Sequence, residues 1–191
     1  KGELVFLMGP TGAGKSTVLK TIYRDIPIAS GNLYINGEDI GLVRRRHVPH
    51  FRRKIGMVFQ DYKLIQDRTV YENIALPLHI QGVHKKIIKD KVYDISEKVD
   101  LGNRINHYPD QLSGGEKQRV SIARALVKEP LVILADEPTG NLDPNVSDEI
   151  LDLLEIATSS GTSVLMSTHN FPLIKPRKKR FIELNEGRLV I

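Results

Sequence analysis

The segment Gly9-Pro10-Thr11-Gly12-Ala13-Gly14-Lys15-Ser16-Thr17 constrains what this chain can fold into more than any other stretch. It fits the phosphate-cradling pattern of glycine, four residues, then Gly-Lys-Ser/Thr. The apolar run Leu4–Met8 precedes it, and Val18, Leu19 and Ile22 follow at helical spacing. The pattern therefore predicts a buried strand, a tight loop and a helix that begins near Lys15.

This arrangement suits a nucleoside triphosphate. Glycines let backbone N–H groups turn inward around phosphate oxygens, and the helix N-terminus adds positive potential. Lys15 would reach the β- and γ-phosphates, and the Ser16 hydroxyl would coordinate Mg²⁺. The alternative, a chance glycine-rich turn, leaves the preceding strand and the following helix unexplained.

Length and composition set broad limits. The 191 residues suit one domain, and the absence of cysteine excludes disulfides and thiolate metal sites. The first residue is Lys1, so we expect a chain that is truncated at its N-terminus. No apolar run approaches the length of a membrane span, so we expect membrane association through a partner or the surface.

The net charge of +5 is concentrated at residues 44–54 and 175–180. These clusters are either solvated faces or sites for anionic lipid or nucleic acid, and we expect no nucleic-acid partner because stacking aromatics are lacking.

Three further apolar segments are each followed by polar side chains. Ile55–Phe59 ends at Gln60, Leu131–Ala135 ends at Asp136 and Glu137, and Ser163–Ser167 is followed by Thr168 and His169. Open α/β sheets bind ligands at the carboxyl ends of their strands. The sequence therefore predicts that these polar residues surround the phosphates.

Each of these residues has a functional and a plain structural interpretation. Asp136 would support Mg²⁺, and Glu137 would orient and polarise the water that attacks the γ-phosphate; otherwise the pair is a solvated acidic loop. Gln60 would touch the metal or that water, or it merely ends a strand. His169 would contact the γ-phosphate, or it is structural.

A second glycine-containing segment is Leu112-Ser113-Gly114-Gly115-Glu116. Ser113 and Glu116 have the spacing of a capping box, which predicts a helix from here to before Pro130. The two glycines lower helix propensity in its first turn but let a phosphate approach the exposed N–H groups. We therefore predict a second phosphate-binding helix terminus at Ser113, Gly114, Gly115 and Glu116.

The remaining segments complete the architecture. The stretch 32–35 predicts an antiparallel edge strand that ends at Asn36-Gly37, and Pro49 limits any helix in the basic stretch that follows. The stretch 67–111 is helical in pattern and reads as an insertion between sheet elements. A helix over 146–156 and a closing hairpin, 180–184 with 188–191, are expected after the turn Asn141–Pro144.

These motifs in this order resemble those of the ATP-binding-cassette (ABC) family, and the resemblance covers essentially the whole chain. The matching segments are the Walker A loop Gly9–Thr17, the Q-loop Gln60, the signature Leu112–Glu116, Walker B Leu131–Asp136 with Glu137, the D-loop Asn141–Asp143 and the switch histidine His169. Such members usually carry Asp after the switch histidine, whereas this chain has Asn170.

The resemblance implies an α/β fold: a P-loop NTPase (RecA-like) core with an antiparallel β edge and an inserted α-helical subdomain at 67–111. It implies an ATPase that uses ATP and Mg²⁺. It also implies a head-to-tail homodimer that forms on ATP binding, in which each nucleotide lies between the Walker A loop of one copy and the signature of the other. Lys15, Ser16, Gln60, Asp136, Glu137 and His169 would then serve one nucleotide while Ser113–Glu116 serve the partner's.

Within the family, residues 67–78 and 135–143 are most similar to the ATPases of bacterial cell division. This similarity implies an integral membrane partner, a location at the cytoplasmic face of the inner membrane, and control of peptidoglycan hydrolysis. The alternative is a subunit of a lipoprotein-release or macrolide-export transporter. A soluble translation or repair protein and a non-hydrolysing scaffold fit less well, because one compact cassette carries every hydrolytic residue.

Overall fold

The apolar segments predicted as buried strands form one sheet in the computed structural model, which describes residues 1–190. The strands are β1 (Leu4–Met8), β2 (Tyr34–Ile35), β3 (Glu38–Asp39), β4 (Ile55–Val58), β5 (Val132–Asp136), β6 (Ser163–Thr168), β7 (Arg180–Asn185) and β8 (Arg188–Val190). The main sheet has the order β4-β5-β6-β1-β7-β8, and within this sheet the β7–β8 pair is antiparallel while the other pairs are parallel. The carboxyl ends of β4, β5, β6 and β1 therefore share one edge.

Helices cover both faces of this sheet. The α-helices of residues 1–190 are α1 (Lys15–Ile22), α2 (Val48–Arg53), α3 (Val70–Ile80), α4 (Lys85–Lys98), α5 (Gly114–Leu126), α6 (Pro144–Ser159) and α7 (Phe171–Ile174). Alternate strand residues face opposite layers: Phe6 packs in the cluster with α5 and α6, and Leu7 packs in the cluster with α1 and α2. The predicted mixed α/β class with a parallel core is confirmed.

A second group of helices has its own apolar cluster. Ile74 and Leu78 of α3 pack with Ile88 and Val92 of α4, and all four are at most 2% exposed. Thr69 begins α3 with a capping box that Glu72 completes. Helix α5 joins the two parts, because one side contributes to this cluster while Ile122 packs against the sheet. The boundaries of a subdomain at 67–111 stay a prediction.

The hairpin at 34–39 differs from the expectation. Only Tyr34–Ile35 is strand, and it pairs with Glu38–Asp39 in a separate two-stranded sheet across Asn36 and Gly37, whose φ angles are 50° and 79°. The left-handed turn favours Asn-Gly, as expected, but within the described residues the hairpin is not hydrogen-bonded to the main sheet.

The closing hairpin is confirmed by β7 and β8, except that its predicted last residue, Ile191, lies outside the described residues.

Among residues 1–190, no helix combines the length and the apolar character needed to cross a lipid bilayer.

Candidate functional site

The order of the strands brings the predicted residues to neighbouring positions. Gln60 follows β4, Asp136 ends β5, His169 follows β6, and the loop with Lys15 follows β1. These four strands are adjacent and parallel, with Asp136 opposite Ser167 and Met8 opposite Thr168. Residues spread over more than a hundred positions thus meet at one edge of the sheet.

The glycines of the phosphate loop are required by its shape. Gly9, Gly12 and Gly14 have φ angles of 147°, 85° and 100°, which side-chain-bearing residues rarely adopt. A Cβ on Gly9 would lie 2.2 Å from the carbonyl oxygen of Leu184 in β7. The β7–β8 turn also touches the loop, since the Gly187 N–H donates to the Ala13 carbonyl at 3.0 Å. The closing hairpin therefore forms one wall of the loop.

Lys15 places its ammonium inside this loop. Its Nζ donates to the carbonyls of Gly9 at 2.8 Å and Pro10 at 3.2 Å, and lies 3.4 Å from Glu137 Oε1. The side chain is only 5% exposed. A buried cation next to inward-turned backbone groups is suited to phosphate oxygens.

Ser16 and Asp136 are hydrogen-bonded directly, and a residue that the sequence did not point to, Ser167, also donates to Asp136. Ser16 Oγ donates to Asp136 Oδ1 at 2.9 Å, and Ser167 Oγ donates to the same oxygen at 2.7 Å. The N–H of Glu137 in turn donates to Ser167 Oγ at 3.0 Å. Ser167 is fully buried. A polar residue near the end of an otherwise apolar strand was the available signal.

The donor set at Ser16 and Asp136 fits Mg²⁺. A hydroxyl and a carboxylate oxygen are hard ligands, and Mg²⁺ usually takes one or two protein oxygens and completes its octahedron with phosphates and water. Within residues 1–190 there is no group of three or more His, Cys, Asp or Glu side chains that could hold a metal ion without such help. Ser16 and Asp136 would therefore hold Mg²⁺ together with a bound nucleotide.

Glu137 stands at the centre of the contacts. Its Oε2 lies 2.6 Å from His169 Nδ1, its Oε1 faces Lys15, and its side chain is 16% exposed. Its φ of 45° is uncommon for a residue other than glycine, and such strain concentrates at functional sites. A cavity of about 480 Å³, lined in part by Thr139, Gly140, Leu142 and Asn170, opens beside Glu137 and His169.

Gln60 lies at the rim of this site rather than in its centre. A Cβ on Gly140 would lie 3.1 Å from Gln60 Nε2, which places the amide next to the turn after Glu137. Within the described residues the Gln60 side chain is not hydrogen-bonded to Ser16 or Asp136. Its role toward a metal or a water stays a prediction.

The signature segment forms the predicted helix start. Ser113 Oγ accepts from the Glu116 N–H at 3.2 Å, and Glu116 Oε2 accepts from the Ser113 N–H at 2.8 Å. That backbone bond, with a smaller contribution from Arg104, holds the pKa of Glu116 below its ordinary value. Ser113 is exposed, and no hydrogen bond or ion pair within residues 1–190 joins it to the phosphate loop.

The two signature glycines have a packing reason as well. A Cβ on Gly115 would lie 2.7 Å from Val146 Cγ1, and one on Gly114 would lie 3.3 Å from both Leu142 and the Tyr62 hydroxyl. The close approach of α6 thus requires glycine at Gly115 whether or not a phosphate binds. Phosphate access was the only reason that the sequence suggested.

Asn170, the departure from the family pattern, begins the short helix α7. Its Oδ1 accepts from the Leu173 N–H at 3.2 Å, and its own N–H donates to Thr168 Oγ1 at 3.0 Å. Asparagine and aspartate are equally good at such a position. The substitution therefore preserves the local fold and removes one charge next to His169.

The second basic cluster is partly structural. Arg177 forms ion pairs with Asp148, Asp152 and Glu155 on α6. Burial alone would lower the pKa of Arg177, but the hydrogen bonds to Asp148 and Asp152 outweigh burial and raise it above its ordinary value. Arg177 anchors the chain between α7 and β7 to the body of the domain.

Comparison with known proteins bears on the whole chain. The sequence model of a family described as ABC transporter matches residues 1–140. Proteins named cell division ATP-binding protein FtsE are similar over nearly the full length. The chain is 47% identical to that of Bacillus subtilis (99% of this chain, 83% of the relative), 48% to that of Mycobacterium tuberculosis (100% and 83%) and 48% to that of Escherichia coli K12 (98% and 85%).

Solved structures give the same picture. A dimeric ATP-binding cassette, MJ0796, in a post-hydrolysis state with ADP and Pi, superposes with a TM-score of 0.88 at 36% identity, covering 100% of this chain and 84% of that one. The transporter component cbiO1 of Clostridium perfringens superposes with a TM-score of 0.92 at 28% identity, covering 100% and 76%.

Proposed function

The chain belongs to the ABC transporter family, and on that premise we propose that it is the ATP-hydrolysing subunit of a membrane complex in bacterial cell division. The observation that carries the catalytic part is the contact chain Lys15–Glu137–His169 beside the Ser16–Asp136 pair, at the end of the phosphate loop. Membership of the family shows that the chain is an ATPase. The roles of the individual residues and of the membrane complex are what we propose.

In the proposed reaction a water oxygen bonds to the γ-phosphorus of ATP. The bond from that phosphorus to the oxygen bridging the β- and γ-phosphates breaks, and ADP leaves with the electron pair. Glu137 orients the water and accepts its proton, while His169 holds the carboxylate in place across 2.6 Å. Lys15 turns from the loop carbonyls and from Glu137 to the β- and γ-phosphates. Mg²⁺, held by Ser16 and Asp136 and approached by Gln60, would neutralise charge on the phosphate oxygens.

We place the second half of the site on another copy of the chain. The signature residues Ser113–Glu116 are at the start of α5 and form no hydrogen bond or ion pair with the phosphate loop of their own chain within residues 1–190. A helix N-terminus with glycine in its first turn offers unpaired N–H groups to an anion. Head-to-tail pairing would bring these groups to the γ-phosphate of the partner's ATP, and the relative MJ0796 is itself dimeric.

The cell-division role rests on the relatives. Identities of 44–48% over 98–100% of this chain connect it to proteins named for cell division. The lipoprotein-release and macrolide-export alternative is not favoured by these matches. We therefore propose an FtsX-like integral membrane partner, a position at the cytoplasmic face of the inner membrane, and control of peptidoglycan hydrolysis through ATP-driven motion.

A cleft between the sheet and the helical part is the proposed contact with that partner. Its volume is about 230 Å³, and its lining combines Tyr23, Phe59, Leu76 and Pro77 with Lys63, Arg124 and Lys128. Because the cleft adjoins the segment after Gln60, a helix seated there would sense the state of the catalytic edge. Cross-links from the partner that land exclusively on residues 44–54 or 175–180 would contradict this placement.

The variant Glu137→Gln tests the catalytic proposal. It should bind ATP as the wild type does, lose hydrolysis by about a hundredfold or more, and accumulate ATP-dependent dimers. The matched control is Glu129→Gln, since Glu129 is 78% exposed and pairs with Lys91. Unchanged turnover in Glu137→Gln would eliminate Glu137 as the catalytic carboxylate. For the cellular role, co-purification with a four-span membrane protein encoded next to this chain is the expected result.

A further inference from the structure

The chain adopts an unusual backbone two residues after Gln60. Tyr62 and Lys63 have φ angles of 60° and 48°, so two consecutive non-glycine residues are left-handed. Each such residue brings its Cβ close to a carbonyl oxygen, and a consecutive pair persists only where the surroundings hold it. We call residues 60–69 the connector, because they lead from β4 to α3.

Arg124 of α5 holds this backbone in place. Its Nη1 donates to the Lys63 carbonyl at 2.6 Å and its Nη2 donates to the Tyr62 carbonyl at 2.7 Å. Within residues 1–190 Arg124 forms no ion pair, and burial lowers its pKa. The guanidinium is therefore partly removed from water, and the hydrogen bonds that it gains there are to two neutral carbonyls. Its rigid fork matches the spacing of these carbonyls.

The rest of the connector is fixed from the other side. Asn73 of α3 is fully buried; its Nδ2 donates to the carbonyls of Ile65, Arg68 and Thr69, and its Oδ1 accepts from the Ile65 N–H at 2.9 Å. The connector is thus clamped by one side chain from α5 and one from α3. Gln60 is attached to the end of this clamped segment.

Tyr62 reaches the signature as well. Its hydroxyl lies 3.3 Å from the position that a Cβ of Gly114 would take, while its carbonyl accepts from Arg124. Gly114 and Arg124 are ten residues apart on α5, a separation of roughly 15 Å along a helix. The connector therefore touches α5 near the signature and again three turns later.

We propose that Arg124 is a positioning residue for ATP hydrolysis, which joins Gln60 and the signature end of α5 into one unit. A displacement of Gln60 at one nucleotide then moves the signature that serves the other nucleotide. The inference rests on the proposed function, in which the two half-sites of one chain act on different ATP molecules. It adds a residue that touches neither nucleotide.

The variants Arg124→Lys and Arg124→Met test this proposal. Methionine has no donor, and lysine lacks the rigid two-nitrogen fork that spans the two carbonyls, so kcat should fall about ten- to a hundredfold while KM for ATP stays within about twofold. Arg119→Lys is the matched control, because Arg119 lies on the same helix and donates to the Val99 carbonyl and Glu149, not to the connector. Its kcat should stay close to that of the wild type.

A rescue separates positioning from general stability. Glycine adopts a left-handed conformation without strain, so Lys63→Gly should restore most of the kcat that Arg124→Lys loses. Amide hydrogen exchange of residues 60–69 should quicken in both Arg124 variants and not in Arg119→Lys.

Unchanged exchange in the connector, or a loss of kcat that Lys63→Gly leaves uncorrected, would overturn the proposal. A wild-type chain that fails to hydrolyse ATP would instead refute the proposed function, and the exchange measurement would still decide what Arg124 does.

Discussion

Ser167 and Asp136 are joined by a 2.7 Å hydrogen bond across the register of β5 and β6, and the same hydroxyl accepts from the Glu137 N–H. One buried serine thus orients the carboxylate assigned to Mg²⁺ and the backbone of the residue assigned to water. Without this bond, Asp136 would keep only Ser16 as its side-chain hydrogen-bond partner among the described residues.

Ser167→Ala should therefore slow hydrolysis. We expect kcat to fall about tenfold and the free energy of unfolding to fall by about 1–2 kcal/mol, because Asp136 Oδ1 and the Glu137 N–H each lose one hydrogen-bond partner. Steady-state kinetics and urea unfolding provide both numbers. Ser163→Ala, at the opposite end of the same strand, is the control and should retain kcat.

The packing of Gly115 against Val146 predicts a compensating pair. Gly115→Ala should destabilise the chain by about 1–3 kcal/mol, since the new Cβ would overlap a side chain in close contact. Val146→Ala added to it should restore most of the unfolding free energy. ATP-dependent dimerisation of the double variant then separates two roles of Gly115. If the glycine serves packing alone, the double variant should dimerise as the wild type does; if it also serves phosphate access, dimers should remain scarce.

The phosphate loop offers a test of its contact with β7. Gly9→Ala should lower the free energy of unfolding by about 3 kcal/mol or more and abolish ATP binding, because its Cβ would overlap the Leu184 carbonyl. Gly12→Ala has open space around the Cβ and only a positive φ to overcome, so about 1–2 kcal/mol is expected. Equal losses in the two variants would contradict the role of β7 as a wall.

Lys128 predicts a pH dependence of stability. Burial lowers its pKa from 10.5 to about 8, and its Nζ donates to the Arg52 carbonyl at 3.0 Å in a groove shared with His50, Arg53, Lys54 and Glu129. The unfolded chain keeps this proton to a higher pH than the folded chain. Folding is therefore penalised below pH 8, and the penalty is relieved as the pH rises from about 8 to about 10.5.

Lys128→Met removes that penalty. We expect a gain on the order of 1 kcal/mol at pH 7, after allowance for the exposed part of the side chain and the lost hydrogen bond. The rise in stability between pH 8 and 10 should flatten in the variant, as followed by urea unfolding across that range. The exposed Lys98, paired with Asp94, provides the control Lys98→Met, which should keep the wild-type slope.

Much of the fold followed from local pattern. The apolar runs at Leu4, Ile55, Leu131 and Ser163 predicted strands because parallel strands buried on both faces lack polar residues. The polar residue after each run predicted the edge at which they meet. The capping box at Ser113 set the start of α5 to the residue. These signals are contained within a few neighbouring positions, and they predicted the edge of the sheet at which the candidate site lies.

The features that local sequence pattern did not predict depend on strand register and on contacts between distant segments. Ser167 becomes a partner of Asp136 only when β5 and β6 pair with one particular offset. Tyr62 and Lys63 look like ordinary loop residues, and their left-handed backbone follows from Arg124, some sixty positions later. The hairpin at 34–39 was expected at the edge of the main sheet but forms a sheet of its own. A short alternating segment predicts a strand without specifying the strand with which it pairs.

The central strand β1 is synthesised before both of its neighbours in the sheet. It is the fourth strand of the main sheet, yet both of its neighbours, β6 and β7, lie beyond residue 160. On a ribosome, Leu4–Met8 must therefore wait until β6 has been synthesised before it gains a strand on either side. The loop that follows it is equally incomplete until Gly187 has emerged to meet Ala13. A nascent chain released before that point would carry the phosphate-binding motif without the walls that shape it.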